Sequence, residues 1–408
     1  MDWLKNKLKN ILKWLAKATL KKYKPGIIGI TGSVGKTSTK EAIYTVLRNF
    51  RQVRASAQNF NNELGLPLTI LGDWQETSWL KIIIVSFWRL IFGRKSNYPE
   101  MLILEYGADR PGDLDYLLDI ANPQIAVITA IGEVPVHIEY YDSPESVAKE
   151  KAKIVRSLPS VGFAVLNQDD QVVLDIKKFV QAPVFTFGFN EGAQMKISGF
   201  ENRSDQGRPS GIIFKLEYNK SSVPVRMDGA FGRAQAYAAA AAACVGVGFG
   251  LSLQRIAESL AYYKPPPHRM KFLIGLKDTY IIDDCYNASP LSMRSALETI
   301  KDLPAKRKVG ILGDMLELGN YSVEMHDQIG QLAAKTFNFL ITVGLKAKLI
   351  AEGARKKGMA EEKIKSFNTV DEAGIEILSL LKSGDLVLIK ASRGIQLDKI
   401  VEELSPVN

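Results

Sequence analysis

Leu4, Leu8, Ile11, Leu15 and Ala18 recur three or four positions apart over residues 3–20, Leu12 and Trp14 widen the stripe, and lysines fill the other faces. This spacing predicts an amphipathic helix. Pro25 and Gly26 end it, and residues 26–31 read as a buried strand running into a glycine turn. From there to about residue 190, short apolar runs near 101–106, 125–131, 161–166 and 182–187 alternate with helical patterns near 36–49 and 144–157. Strand and helix in alternation predict a parallel sheet with covering helices.

Between about 190 and 230 the polar and apolar residues alternate singly, as in residues 212–218, which predicts an antiparallel ribbon. The alanine run 238–243 predicts a closely packed helix, ended by Gly246, Gly248 and Gly250, before a second helix at 252–262. Pro265, Pro266 and Pro267 form the clearest linker. Beyond it the alternation restarts, with strands near 279–284, 308–313, 339–343 and 385–390 and helices near 290–301, 322–336, 346–357, 370–382 and 395–404. The fold class expected is α/β: a basic amphipathic helix (1–25), a central P-loop type parallel-sheet domain (26–266) and a smaller Rossmann-like domain (267–408).

Charge refines the picture at one place. The 53 basic and 44 acidic residues leave a net charge of +9, but residues 1–24 alone hold eight lysines against Asp2. The body is therefore nearly neutral, which disfavours nucleic acid as a partner. Two cysteines, Cys244 and Cys285, exclude a disulfide framework and a four-thiolate zinc site, and no secretory leader pattern opens the chain. A cytoplasmic enzyme is the expectation.

The chemistry concentrates at Gly32-Ser33-Val34-Gly35-Lys36-Thr37-Ser38, after a predicted strand and opening a predicted helix. Loop amides and the helix N-terminus can face phosphates, Lys36 adds a cation, and the Thr37 hydroxyl can bind Mg²⁺. Ile30 stands where the longer form of the motif has glycine, so the match is to the shorter pattern. Glu105 ends an apolar strand and becomes the first metal-ligand candidate, with His137 in a later loop as the second. Lys149, Lys151 and Lys153 follow on a helix where solvation is the plain expectation.

Taken together, the stretches 31–38, 59–71, 104–117, 137–154, 166–170, 268–270, 282–293, 313–319 and 390–394 resemble the Mur ligase family, ATP-dependent enzymes that extend the peptide of the peptidoglycan precursor. The resemblance implies ATP and Mg²⁺ as cofactors, with Gly32 to Ser38 on the phosphates and Thr37, Glu105 and His137 on the metal. It implies that Lys151 matches a lysine carbamylated in several relatives. Asn61 and Asn62 would lie near the muropeptide precursor, and Arg269, Asp283, Tyr286 and Asn287 would reach the nucleotide across the domain crevice. Asp314, Glu317, Lys390, Ser392 and Arg393 would approach the incoming amine. The stretches 282–293 and 313–319 favour the branch that adds D-alanyl-D-alanine; another amide ligase of the superfamily, or a membrane-bound nucleotide-binding scaffold, are the competing readings. The intact Lys36, Thr37, Glu105 and His137 argue against the scaffold.

Two departures from the family stand out. After Gly232-Arg233 the chain has Ala234-Gln235 in place of a His-Asn pair, making Gln235 the candidate substitute at the adenine side. Only 25 residues precede the phosphate-loop strand, so recognition of the uridine nucleotide is not carried over from relatives with a leading domain. Residues 1–24, and a second apolar stretch at 79–93 broken by Lys81 and Arg89, predict a helix pair resting on an anionic membrane surface.

Overall fold

The computed structural model describes residues 2–56, 60–74 and 78–406, with side chains from residue 6 onward. Asn59 of the 59–71 stretch and the side chains of Trp3 and Leu4 lie outside the described residues. The larger sheet takes β1 (Gly26–Thr31), β2 (Val53–Ala55), β3 (Met101–Glu105), β4 (Ile125–Ile128), β5 (Phe163–Asn167), β6 (Val184–Gly188), β7 (Met195–Asp205), β8 (Arg208–Tyr218) and β9 (Ser221–Asp228). Its order is β2-β3-β1-β4-β5-β6-β7-β8-β9. Pairing is parallel as far as β7 and antiparallel from β7 to β9. The expected ribbon is thus a three-stranded extension of the main sheet.

Helices α1 (Asp2–Tyr23), α2 (Lys36–Leu47), α3 (Gly65–Leu71), α4 (Trp79–Phe92), α5 (Asp113–Ile120), α6 (Pro144–Arg156), α7 (Gln171–Ile176), α8 (Arg233–Gly248) and α9 (Leu253–Leu260) surround this sheet. Side chains alternate across a strand, so Ile28 and Ile30 pack with Ile43 and the alanines of α8, while Ile27 faces Leu114 and Ile154 on the other side. Residues 238–245 are all buried; alanine lets this helix lie close against the sheet and α2.

The smaller sheet contains β10 (Lys271–Ile274), β11 (Tyr280–Asp283), β12 (Lys308–Gly313), β13 (Phe339–Val343), β14 (Ile364–Phe367) and β15 (Leu386–Lys390). Its order is β10-β11-β15-β12-β13-β14, parallel except at β10. Helices α10 (Pro290–Asp302), α11 (Ser322–Thr336), α12 (Lys348–Lys356), α13 (Val370–Leu380) and α14 (Asp398–Leu404) cover it. The short strands β2, β10 and β14 and the helices α3, α5 and α7 were not anticipated, because three to eight residues carry too little periodicity to declare themselves.

The first helix, expected to form part of a helix pair on a membrane surface, is docked on the body of the protein. Leu12, Leu15, Ala16 and Tyr23 are buried, Lys9 pairs with Glu63 at 2.8 Å, and Lys13 and Lys17 pair with Asp119 at 2.7 and 2.9 Å. Most of its apolar stripe is used in docking to the body, with Ile11 and Trp14 left exposed. Helix α4, by contrast, buries only Ile82 and Ser86. No described helix is long and apolar enough to cross a membrane.

Candidate active site

In the larger sheet β1 lies between β3 and β4, so the strand order reverses there and a crevice opens beyond the carboxyl ends of the three strands. The turn 32–35 sits in this crevice. Gly32 (φ 141°) passes so close to β4 that a Cβ would stand 2.1 Å from Thr129 Oγ1, and Gly35 (φ 90°) takes the left-handed conformation that starts α2. The turn is held by Thr129 Oγ1 donating to Val34 O at 2.6 Å and by Ser33 N donating to Ala130 O at 2.7 Å. Lys36 curls back to donate to Gly32 O at 2.7 Å. Burial pushes its pKa down, with Glu105 and Asp109 working the other way. Such a cation gains from an arriving polyanion.

Glu105 pairs with Ile30 across β1 and β3, which brings its buried carboxylate beside the turn. Thr37 Oγ1 donates to one oxygen at 3.2 Å. The other oxygen accepts no hydrogen bond and is met by Lys40 Nζ at 3.2 Å. Hydroxyl and carboxylate oxygens suit a hard divalent cation, and the buried oxygen without a hydrogen bond gives Mg²⁺ a place to attach. Lys40, fully buried one turn beyond Lys36, also donates to Ser56 O at 2.7 Å. The sequence reading missed it; its i+4 spacing from Lys36 was the available signal.

His137 has a left-handed backbone (φ 69°) and stands between two acids, with Nε2 3.2 Å from Asp109 and Nδ1 2.6 Å from Glu317. The second approach is an ion-pair distance without hydrogen-bond alignment. It joins the central part of the chain to the C-terminal part, and His137 holds the Glu317 carboxyl below its usual range. Of the three lysines on α6, Lys149 is exposed, and Lys153 pairs with Asp115 and Glu150 at 2.6 Å each. Lys151 is not solvated. It is 1% exposed, and burial, helped by the nearby Lys36 cation, pushes its pKa down to about 7.

One cleft is lined by Ser33 to Ser38, Asn61, Glu105, Asp109 and His137 from the central part and by Arg269, Asp284, Tyr286, Asn287 and Lys390 from the C-terminal part. The guanidinium of Arg269 lies 4.1 Å and that of Arg393 5.3 Å from the centre of the Tyr286 ring. Asp284 pairs with Lys390 at 2.6 Å, and Lys390 Nζ also donates to Asn287 O at 2.8 Å.

Several expected residues lie elsewhere. Asp283 turns away from the cleft and faces His268 Nδ1 at 2.8 Å; its neighbour Asp284 takes the cleft side because successive residues at a strand end point to opposite faces. Asn62 accepts from Leu64 N and Gly65 N and so starts α3, leaving Asn61 on the cleft. Asp314 accepts from Ala347 N at 2.6 Å, and Ser392 Oγ accepts from Leu316 N at 2.9 Å while donating to Ala288 O at 3.3 Å. These two buried residues brace the loops behind the cleft. Gln235 reaches the cleft, but its amide already bridges Tyr263 OH at 2.7 Å and Arg269 O at 3.3 Å, so it positions the Arg269 loop.

Residues 30–246 match the family model of the Mur ligase middle domain, and residues 268–393 match that of the Mur ligase glutamate ligase domain. The chain is 30% identical over 395 residues to the UDP-N-acetylmuramoyl-tripeptide–D-alanyl-D-alanine ligase of Bacillus subtilis (strain 168), covering 96% of this chain and 79% of that protein. It is similar to MurF from Acinetobacter baumannii, with a TM-score of 0.80 and 27% identity, over 96% of this chain and 79% of that one. It is also similar to MurF ligase from Thermotoga maritima in complex with ADP, with a TM-score of 0.78 and 26% identity, over 97% of this chain and 83% of that one.

Proposed function

This chain belongs to the Mur ligase family, and we propose that it is the ATP- and Mg²⁺-dependent ligase that joins D-alanyl-D-alanine to the peptide carboxylate of a UDP-N-acetylmuramoyl-tripeptide. The observation that carries this reading is the single cleft in which Lys36, Thr37 and Glu105 face Arg269, Asp284 and Tyr286 from the other part of the chain. In this reading the muropeptide carboxylate displaces ADP from the γ-phosphorus. The acyl phosphate so formed is attacked at its carbonyl carbon by the dipeptide amine, which loses a proton as phosphate leaves.

No protein nucleophile is required, so the residues act by position and charge. Bound Mg²⁺ would neutralise phosphate charge, held by Thr37 and Glu105 with His137 at the rim. Lys36 and the turn amides hold the phosphates. Lys151, whose amine is half neutral near pH 7, is suited to react with CO₂ and become an anionic carbamate within the field of the Lys36 cation. Arg269, Tyr286 and Asn287 contact the nucleotide from the C-terminal side, joined by Asp284 in place of Asp283, and Asn61 lies toward the muropeptide. Lys390, Glu317 and Arg393 line the approach of the amine, with Asp314 and Ser392 fixing the loops that carry them. The enzyme works in the cytoplasm, resting on the inner face of the membrane.

The test is phosphate release coupled to formation of the extended muropeptide. Wild type should require both ATP and D-alanyl-D-alanine, and Lys36→Ala should lose on the order of 100-fold or more in rate while keeping its fold. Near-normal turnover in that variant would refute the phosphate-loop assignment. Ligation of a single amino acid in place of the dipeptide would move the chain to another branch of the superfamily.

A further inference from the structure

Helix α4 is apolar nearly all round, yet most of it faces outward. Leu80, Ile84, Phe87, Trp88, Ile91 and Phe92 follow a four-, seven- and eight-residue spacing that puts them on one stripe, and they are between 48% and 68% exposed. A contiguous apolar surface of this kind marks an interaction site; isolated exposed apolar residues do not. Trp88 and Phe92 pack with ring centroids 4.7 Å apart and planes tilted by 35°, so the stripe carries a preformed aromatic pair.

The helix is also fixed in this orientation. Tyr23 OH donates to Arg89 O at 2.6 Å, and Lys22 Nζ donates to Leu90 O at 2.8 Å, so the end of α1 caps the last turn of α4. On the inner side Ile82, Ile83 and Leu90 pack with Leu12, Leu15, Leu68 and Leu71, and Arg89 donates to Leu71 O at 3.0 Å. Rolling the stripe inward would break these contacts.

Charge identifies the occupant. Residues 78–99 contain Lys81, Arg89, Arg94 and Lys95 and no acidic residue; Lys81, Arg94 and Lys95 are exposed, while the Arg89 guanidinium turns inward to Leu71 O. An apolar stripe carrying tryptophan and phenylalanine, with cations alone beside it, matches the boundary between acyl chains and anionic headgroups. Fourteen residues of helix span about 21 Å, short of the roughly 30 Å hydrocarbon core, so α4 can lie in the interface but not cross it.

We propose that the outward face of α4 is the element that enters an anionic lipid surface, and that α1 is a docked brace which does not insert. This rests on the reading of the enzyme as a peripheral one and assigns the contact to one helix of the pair. On α1 the residues Leu12, Leu15 and Ala16 are already buried and, among the described residues of the stripe, only Ile11 and Trp14 stay exposed, whereas the α4 stripe presents six exposed apolar side chains without any rearrangement. The lipid-seated face would place the enzyme beside the membrane while the cleft stays in water.

The experiment is flotation of the full-length protein with phosphatidylcholine vesicles containing or lacking phosphatidylglycerol, together with sedimentation velocity and the ligation assay in solution. Wild type should float with anionic vesicles only. The double variant Trp88→Ser/Phe92→Ser should lose about tenfold or more in partitioning while keeping its solution activity, since both side chains are exposed and outside the cleft. Trp14→Ser on α1 should stay within about twofold of wild type. Failure of wild type to bind any vesicle would overturn the peripheral reading itself. Wild-type binding that the α4 double variant retains would leave that reading standing and overturn the role of α4. Equal flotation with neutral vesicles would overturn the anionic surface as the partner. A concentration-dependent dimer abolished by the double variant, without vesicle binding, would make a second copy of the chain the occupant instead.

Discussion

Lys151→Gln tests the most consequential electrostatic feature of the site. An ordinary lysine with a pKa near 10.5 is neutral in only about 3 molecules per 10,000 at pH 7. Burial and the Lys36 cation push Lys151 down to about 7, so roughly half of its side chains are neutral at that pH, a gain of about a thousandfold in the form that reacts with CO₂. The same Lys36 charge that disfavours an ammonium favours the carbamate anion. At a fixed CO₂ pressure the carbamate should increase as pH rises through 7 and be released as pH falls, because only the neutral amine adds CO₂. Protein equilibrated with ¹³C-labelled CO₂ should show one carbamate resonance by NMR at pH 8, weaker at pH 6 and absent in Lys151→Gln. Ligation should fall in CO₂-depleted buffer and return with bicarbonate. A spectrum without the resonance at pH 8, or the same resonance in the variant, would refute the reasoning.

Lys40→Met should destabilise the central part of the chain by about 3–5 kcal/mol, since it leaves the buried Glu105 carboxylate without its 3.2 Å cationic partner; chemical denaturation checks this, and Glu105→Gln in the same background should recover part of the loss. Unchanged stability in Lys40→Met would show that the pair is not coupled. Glu105→Gln alone should raise the Mg²⁺ concentration for half-maximal ligation by at least about tenfold, with a smaller rise in His137→Ala because His137 is also engaged by Asp109 and Glu317. A magnesium titration in which both variants overlay wild type would return the two residues to structural roles.

The alternation of strands and helices, the phosphate turn and its Lys36 and Thr37 were legible in the chain because each is local. A strand of five apolar residues, a glycine turn and a helix start are coded by neighbours in sequence. The position of Glu105 at a strand end was legible for the same reason. What the sequence by itself could not decide was facing and depth. Asp283 and Asp284 are chemically identical neighbours, and only the seating of β11 beside β15 shows that the second meets the cleft. Lys149, Lys151 and Lys153 lie on one helix, and packing against the rest of the domain decides that the middle one is buried while the others reach water or carboxylates. Lys40 is unremarked in the sequence because its partner stands 65 positions away. The two apolar stretches in the N-terminal region looked alike as candidate membrane contacts. Tertiary structure separated them: α1 found complementary apolar surface and carboxylates on the body, whereas α4 spent its inner face and left the aromatic face open. Periodicity tells that a helix has an apolar side, but burial depends on which surfaces the rest of the chain brings to meet it.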